Sequence, residues 1–241
     1  MRLSRLSIVA AFALAACGGE APQREPAPSA EQTADAVPVV GPERHILAFG
    51  DSLFAGYNVA KEESYPARLE VALRAQGIDA QVANAGVSGD TTAAGLQRLA
   101  FTLDSQEETP DLVILELGGN DLLRGLSPEE TKANLASMLD MLTQRGIPVL
   151  LMGMRAPPNY GSEFQQAFDA LYPALAEEYD VELVPFFLEA VYDQPQLIQP
   201  DRIHPTAEGI ETLVGATVDE VAEALPKEDG DGDSNDDTAQ N

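Results

Sequence analysis

The chain has 241 residues, 44% hydrophobic, enough for one ordinary domain with a real core or two small ones at most. A single cysteine excludes a disulfide scaffold, and 40 acids against 14 bases, a net charge of −26, argue against a nucleic-acid partner. Two histidines, His45 and His204, leave few candidates for a metal site or a general base. No window from about residue 20 onward is apolar for a membrane-spanning length.

The chain opens like a secretory leader. Arg2 and Arg5 give a positive start, and Leu6–Ala16 is a short apolar run. It ends in Leu14-Ala15-Ala16-Cys17, which resembles a bacterial lipobox. That resemblance implies a signal peptide over residues 1–16, cleavage before Cys17, and lipidation of its sulfur and new amine. Such an anchor is effectively permanent, and Gly18 after the cysteine favours the outer membrane. Residues 17–42 read as a linker: prolines 22, 26, 28, 38 and 42 interrupt Ala, Glu, Gln and Thr with no apolar period. Its reach is about 80 Å if extended and about 30 Å if coiled. At the other end, residues 227–241 form an acidic tail. Asp229, Asp231 and Asp233 resemble the start of an EF-hand loop, but Ser234 replaces its glycine and Gln240 its glutamate, so no metal is expected.

Residues 43–226 alternate strand and helix. His45–Phe49 predicts a buried strand. Tyr65–Ala75 carries Leu69, Ala72 and Leu73 at helical spacing and stops at Gly77. Ala80–Ala83 is a second short strand, and Thr91–Leu103 a helix with Leu96, Leu99 and Leu103 on one face. Leu112–Leu117 reads as an unbroken apolar strand, buried on both sides. Ser127 caps the next helix, with Pro128 at its first position and Glu130 three residues on, and Gly146 ends it. Pro148–Met152 and Val181–Val184 are strands; Phe164–Tyr179 and Thr206–Leu225 are helices. The pattern predicts an α/β fold, a flavodoxin-like three-layer α/β/α sandwich on a five-stranded parallel sheet. Ligands of such sheets bind beyond the strands' carboxyl ends. Those turns begin at Gly50, Asn84, Gly118 and Gly153.

The turns hold candidate chemistry. Ser52, in Gly50-Asp51-Ser52-Leu53, sits on a tight strand-to-helix turn where its own N–H can face a developing oxyanion. Asn84-Ala85-Gly86-Val87-Ser88-Gly89-Asp90 lets the backbone approach a ligand. Gly118-Gly119-Asn120-Asp121 offers a side-chain amide. In Asp201-Arg202-Ile203-His204-Pro205, one turn lets Asp201 bond one nitrogen of His204 and frees the other to take a proton. Asp51 is expected to support its turn, Asp90 and Asp121 to satisfy loop N–H groups, and Phe186 and Phe187 to lie in the core; His45 reads as a surface residue.

In this order, the four segments resemble the blocks of the SGNH, or GDSL, hydrolase superfamily. Leu122-Leu123-Arg124-Gly125, the segment Arg155–Gly161 and Val184–Leu188 extend the likeness to its periplasmic arylesterases and thioesterase–lysophospholipases. The resemblance implies a Ser52–Asp201–His204 triad, an oxyanion hole of Ser52, Gly89 and Asn120, and no cofactor or metal. Met154, Pro157 and Tyr160 are expected to line the acyl pocket. Two departures stand out: the lipobox, where those relatives mostly carry a plain signal peptide, and Arg202, where glycine is usual after the triad aspartate. Arg202 could narrow or charge the pocket mouth. The implied substrates are short- to medium-chain carboxylic esters, including aryl esters and lysophospholipids, with thioesters incidental outside the cytoplasm. Polysaccharide O-acetyl esters, a non-catalytic lipid-binding role and protein hydrolysis are the rival readings. The implied place is the cell envelope, lipid-anchored and facing the periplasm.

Overall fold

The computed structural model describes residue 39 and residues 41–227. The leader, Cys17, nearly all of the linker, and the tail beyond Lys227 lie outside the described residues. Five strands form one parallel sheet: β1 (Arg44–Gly50), β2 (Ala80–Gly86), β3 (Leu112–Glu116), β4 (Val149–Met152) and β5 (Glu182–Val184), in the order β2-β1-β3-β4-β5. The apolar runs read as strands are these strands, within three residues at each end. β1 and β3 are central, and Ile46–Phe49 and Leu112–Leu115 are at most 1% exposed. Residues apolar on both faces suit a sheet covered on both sides.

Among the described residues there are seven α-helices: α1 (Ser52–Ala55), α2 (Tyr65–Ala75), α3 (Thr92–Asp104), α4 (Gly119–Leu123), α5 (Pro128–Gln144), α6 (Ser162–Tyr179) and α7 (Ala207–Ala224). α2 packs with α7, while α3, α5 and α6 form the other layer. α5 starts as its sequence dictates: Ser127 Oγ accepts the Glu130 N–H at 3.1 Å, and Pro128 fills the first turn, where an N–H has no partner anyway. The two short helices α1 and α4 carry no periodic signal, being only a turn long.

An aromatic cluster joins the layer of α2 and α7 to the active end of the sheet. Phe54 of α1 stacks on Tyr65 at 5.1 Å, and Phe187 meets both rings edge-on. Tyr65 Oη bonds Thr217 Oγ1 of α7 at 2.7 Å. Because Thr217 also donates to the Leu213 carbonyl, Tyr65 is the donor of the pair.

The strand order reverses at β1: the chain steps from β1 out to β2, then returns to β3 on the other side. That switch point opens a crevice beyond the carboxyl ends of β1 and β3.

Candidate active site

Ser52 opens α1, directly after β1. Asp51 caps the helix, its Oδ1 accepting the Leu53 N–H at 3.0 Å. The turn is tight because two glycines give it room. Gly50 ends β1 beside Glu116, and a Cβ there would stand 2.8 Å from the Glu116 carboxyl and carbonyl oxygens. Gly86 ends β2 in register with Gly50, and a Cβ there would run into the backbone of Phe54 and Ala55.

His204 reaches the serine from the loop before α7. Its Nε2 lies 2.8 Å from Ser52 Oγ, and its Nδ1 lies 2.7 Å from Asp201 Oδ2. Asp201 Oδ1 accepts the N–H groups of Ile203 and His204 at 3.0 and 3.1 Å. Partial burial raises the Asp201 carboxyl, but the His204 ring and these two N–H bonds outweigh it and hold the group below the usual carboxylate range. Arg202 makes the turn with φ of 63°, a left-handed conformation that glycine adopts more cheaply. The Tyr57 ring stacks on His204 with centroids 4.3 Å apart. Gln199 ties the loop down: its N–H donates to the His204 carbonyl at 2.7 Å and its amide to the Pro205 and Tyr57 carbonyls.

The other two turns face the same point. Gly89 lies in the loop after β2 with φ of 87°, and Arg124 Nη2 donates to its carbonyl at 2.7 Å. Asp90, next to it, takes Arg98 Nε at 2.6 Å. The same guanidinium donates to the Gly50 carbonyl at 2.9 Å and lies 3.9 Å over the Phe49 ring. So Asp90 does not cap loop N–H groups as expected; it clamps the loop through Arg98. Asp121 does behave as expected, accepting the Thr92 N–H, and adds the hydroxyls of Thr92 and Thr131. Asn120, in the first turn of α4, donates through Nδ2 to Asp51 Oδ2 at 2.9 Å and to the Asp90 carbonyl at 3.0 Å. Both amide hydrogens therefore have acceptors in the structure.

A cleft of about 390 Å³ opens over Ser52, Asn120 and His204. Met154, Pro157, Phe186 and Leu188 make an apolar wall, and Arg155 and Arg202 stand at its mouth. Tyr160 is not there. A 3-10 turn over Pro158–Tyr160 lays its ring against Phe164, beside a separate surface groove. Phe186 is buried as expected but also lines the cleft under the Arg155 guanidinium, whereas Phe187 is core. His45 lies at the opposite end of β1, between Glu43 and Glu108. One site residue escaped the sequence reading altogether: Glu116, the single acid at the end of the apolar β3 run, is wholly buried beside Asp51. A lone carboxylate in a strand buried on both faces was the signal. Among the described residues, no group of three or more His, Cys, Asp or Glu side chains is placed to hold a metal ion.

A hydroxyl bonded to an imidazole, itself held by a carboxylate, is an arrangement that activates a nucleophile. The comparisons agree with that class. Residues 48–211 match the GDSL-like Lipase/Acylhydrolase family model. The chain belongs to that family and is a carboxylic ester hydrolase of the SGNH type. It is 45% identical over 163 residues to an arylesterase of Vibrio mimicus, covering 68% of this chain and 80% of that protein. It is 44% identical over 160 residues to thioesterase 1/protease 1/lysophospholipase L1 of Escherichia coli, covering 66% and 74%. The crystal structure of AlinE4, an SGNH-hydrolase family esterase, is 65% identical, with a TM-score of 0.66 over 78% of this chain and all of that one.

Proposed function

We propose that the protein hydrolyses short- to medium-chain carboxylic esters through an acyl-enzyme on Ser52. The observation that carries this reading is the unbroken line from Asp201 through His204 to Ser52, with contacts of 2.7 and 2.8 Å, in a cleft that Asn120 also lines. Ser52 Oγ attacks the carbonyl carbon while its proton passes to His204 Nε2. Asp201 holds the ring by Nδ1 and stabilises the imidazolium. The negative charge on the carbonyl oxygen is met by the N–H groups of Ser52 and Gly89 and by Asn120 Nδ2–H. His204 then protonates the leaving alcohol. Water repeats the sequence on the acyl-enzyme, releasing the acid and restoring Ser52. Every proton in this cycle is carried by His204, so the chemistry needs no cofactor.

The apolar wall of Met154, Pro157, Phe186 and Leu188 suits an acyl chain. Arg202, on the cleft lining of a strongly acidic chain, suits an ester whose leaving group carries phosphate, as a lysophospholipid does; Arg155, beside it on the lining, is paired with Glu189 at 3.2 Å. Polysaccharide O-acetyl ester cleavage and a non-catalytic role find no support among the relatives. The Leu14–Cys17 motif supports an envelope protein lipidated at Cys17, on the linker 17–42, with the catalytic domain over 43–226 and the acidic tail 227–241 outside it.

The test is a p-nitrophenyl ester series from two to sixteen acyl carbons on the purified protein, with Ser52→Ala in parallel. Turnover peaking between about four and ten carbons, and falling at least about 1000-fold in Ser52→Ala, is the expected result. A folded Ser52→Ala variant with full turnover refutes the reading.

A further inference from the structure

Glu116 ends β3 opposite Gly50 of β1 and has no exposed surface. Its Oε2 accepts the Asp51 N–H at 3.2 Å; its Oε1 is buried without a partner among the described residues. The carboxyl also meets that of Asp51, which is only 2% exposed. Two buried carboxyls in contact cannot both ionise unless a cation lies between them.

The surrounding groups supply none. Tyr172 of α6 donates its hydroxyl to the Leu117 carbonyl at 2.9 Å. Asp121 of α4 is itself an acid, occupied by Thr92 and Thr131. Arg98 of α3 is spent on Asp90 and the Gly50 carbonyl. His204 is turned to Ser52 and Asp201. A proton on Glu116 resolves the conflict. Its O–H then donates to Asp51, which remains an acceptor for Leu53 N–H and for the Asn120 amide.

We propose that Glu116 is a positioning residue that works as a neutral carboxylic acid, its proton shared with Asp51 so that Asp51 holds the Asn120 amide in place for the oxyanion. This rests on the ester-hydrolase reading, through Asn120. Burial first, then the Asp51 charge, push the Glu116 carboxyl well above its ordinary range. Burial raises Asp51 as well, against the bonds from Leu53, Glu116 and Asn120. Both causes oppose ionisation of Glu116, so the proton of the pair stays on it. Loss of that proton places a second negative charge beneath Ser52, against the developing oxyanion, so turnover falls where it is lost.

Infrared spectroscopy of the full protein, together with kcat–pH profiles, tests this. The wild type at neutral pH shows the carbonyl stretch of a buried protonated acid, and Glu116→Gln lacks it. Glu116→Gln keeps most of kcat, because its amide N–H still donates to Asp51, and its kcat–pH profile lacks the step that loss of the Glu116 proton produces. Glu116→Met, similar in volume but without a donor, loses at least about tenfold in kcat at little change in KM, less than the 100- to 1000-fold typical of deleting an oxyanion donor outright. A wild-type spectrum with no protonated-acid band overturns the proposal whatever the variants do. So does a folded Glu116→Met with wild-type kcat. Wild-type protein that turns over no ester refutes the ester reading instead, while the infrared band still reports on the shared proton.

Discussion

Gly118 joins β3 to α4 with φ of 115°, two residues before Asn120, and a Cβ there would overlap the Tyr172 hydroxyl. Gly118→Ala therefore meets two costs. The left-handed backbone costs about 1–2 kcal/mol for a residue with a Cβ. Pressing a methyl into a packed site costs about 1–3 kcal/mol more, and Tyr172, 1% exposed, has little room to yield. The sum, about 2–5 kcal/mol, is a large part of a domain stability of about 5–15 kcal/mol. For a domain of this size it lowers Tm by about 4–20 °C. Calorimetry or circular dichroism during heating reads it directly. A double-mutant cycle sharpens the attribution. Tyr172→Phe alone loses the bond to the Leu117 carbonyl and costs about 1–2 kcal/mol. In the Gly118→Ala background the same change removes the overlapping oxygen, so it stabilises. A Gly118→Ala variant within about 1 kcal/mol of wild type refutes the reasoning, as does a Tyr172→Phe effect of the same sign in both backgrounds.

Arg98→Lys keeps the charge but cannot serve Asp90, the Gly50 carbonyl and the Phe49 ring together. Loosening the Gly89 loop lowers kcat by about tenfold, and unchanged steady-state kinetics would show that the clamp is idle. Asp201→Asn is expected to cut kcat by about four orders of magnitude at neutral pH. Its stability signature follows from the depressed carboxyl: the charged form contributes above its ordinary unfolded value of about 4 and the contribution is lost as pH falls through the folded value. The Tm difference between wild type and Asp201→Asn should therefore be steady above about pH 5 and close on further acidification; a difference that widens there contradicts the assignment.

The fold was legible because its strands are short apolar runs and its longer helices show a 3.6-residue period, all but α6 stopped by glycine or started by a side-chain cap. Gly77 and Gly146 both take positive φ just past a helix end, where sequence reasoning put the stops. The candidate triad was legible because Asp201 and His204 lie within one turn of chain and Ser52 opens the helix that follows β1 directly. What stayed hidden depends on contacts across the fold. Glu116 and Asp51 are 65 residues apart and become partners only through the β1–β3 register. The strand order that sets that register leaves no mark on either strand alone. Arg98 looks like an ordinary helix cation until α3 lays it over Phe49. Tyr160 follows Pro157 closely in sequence, yet one 3-10 turn sends it to a different surface.

Gly86 packs against the backbone of Phe54 and Ala55, so the reactive turn is seated main chain on main chain. The Asn84 side-chain amide adds a bond to the Phe54 carbonyl at 2.8 Å. The walls of the cleft are another matter: Pro157 and Leu188 are side chains on loops, outside the turns that carry Ser52, Asp201 and His204. Substitutions there can therefore alter which ester is accepted without moving Ser52. The same scaffold can drift from one substrate to another through single replacements, each passing through a catalyst that still works.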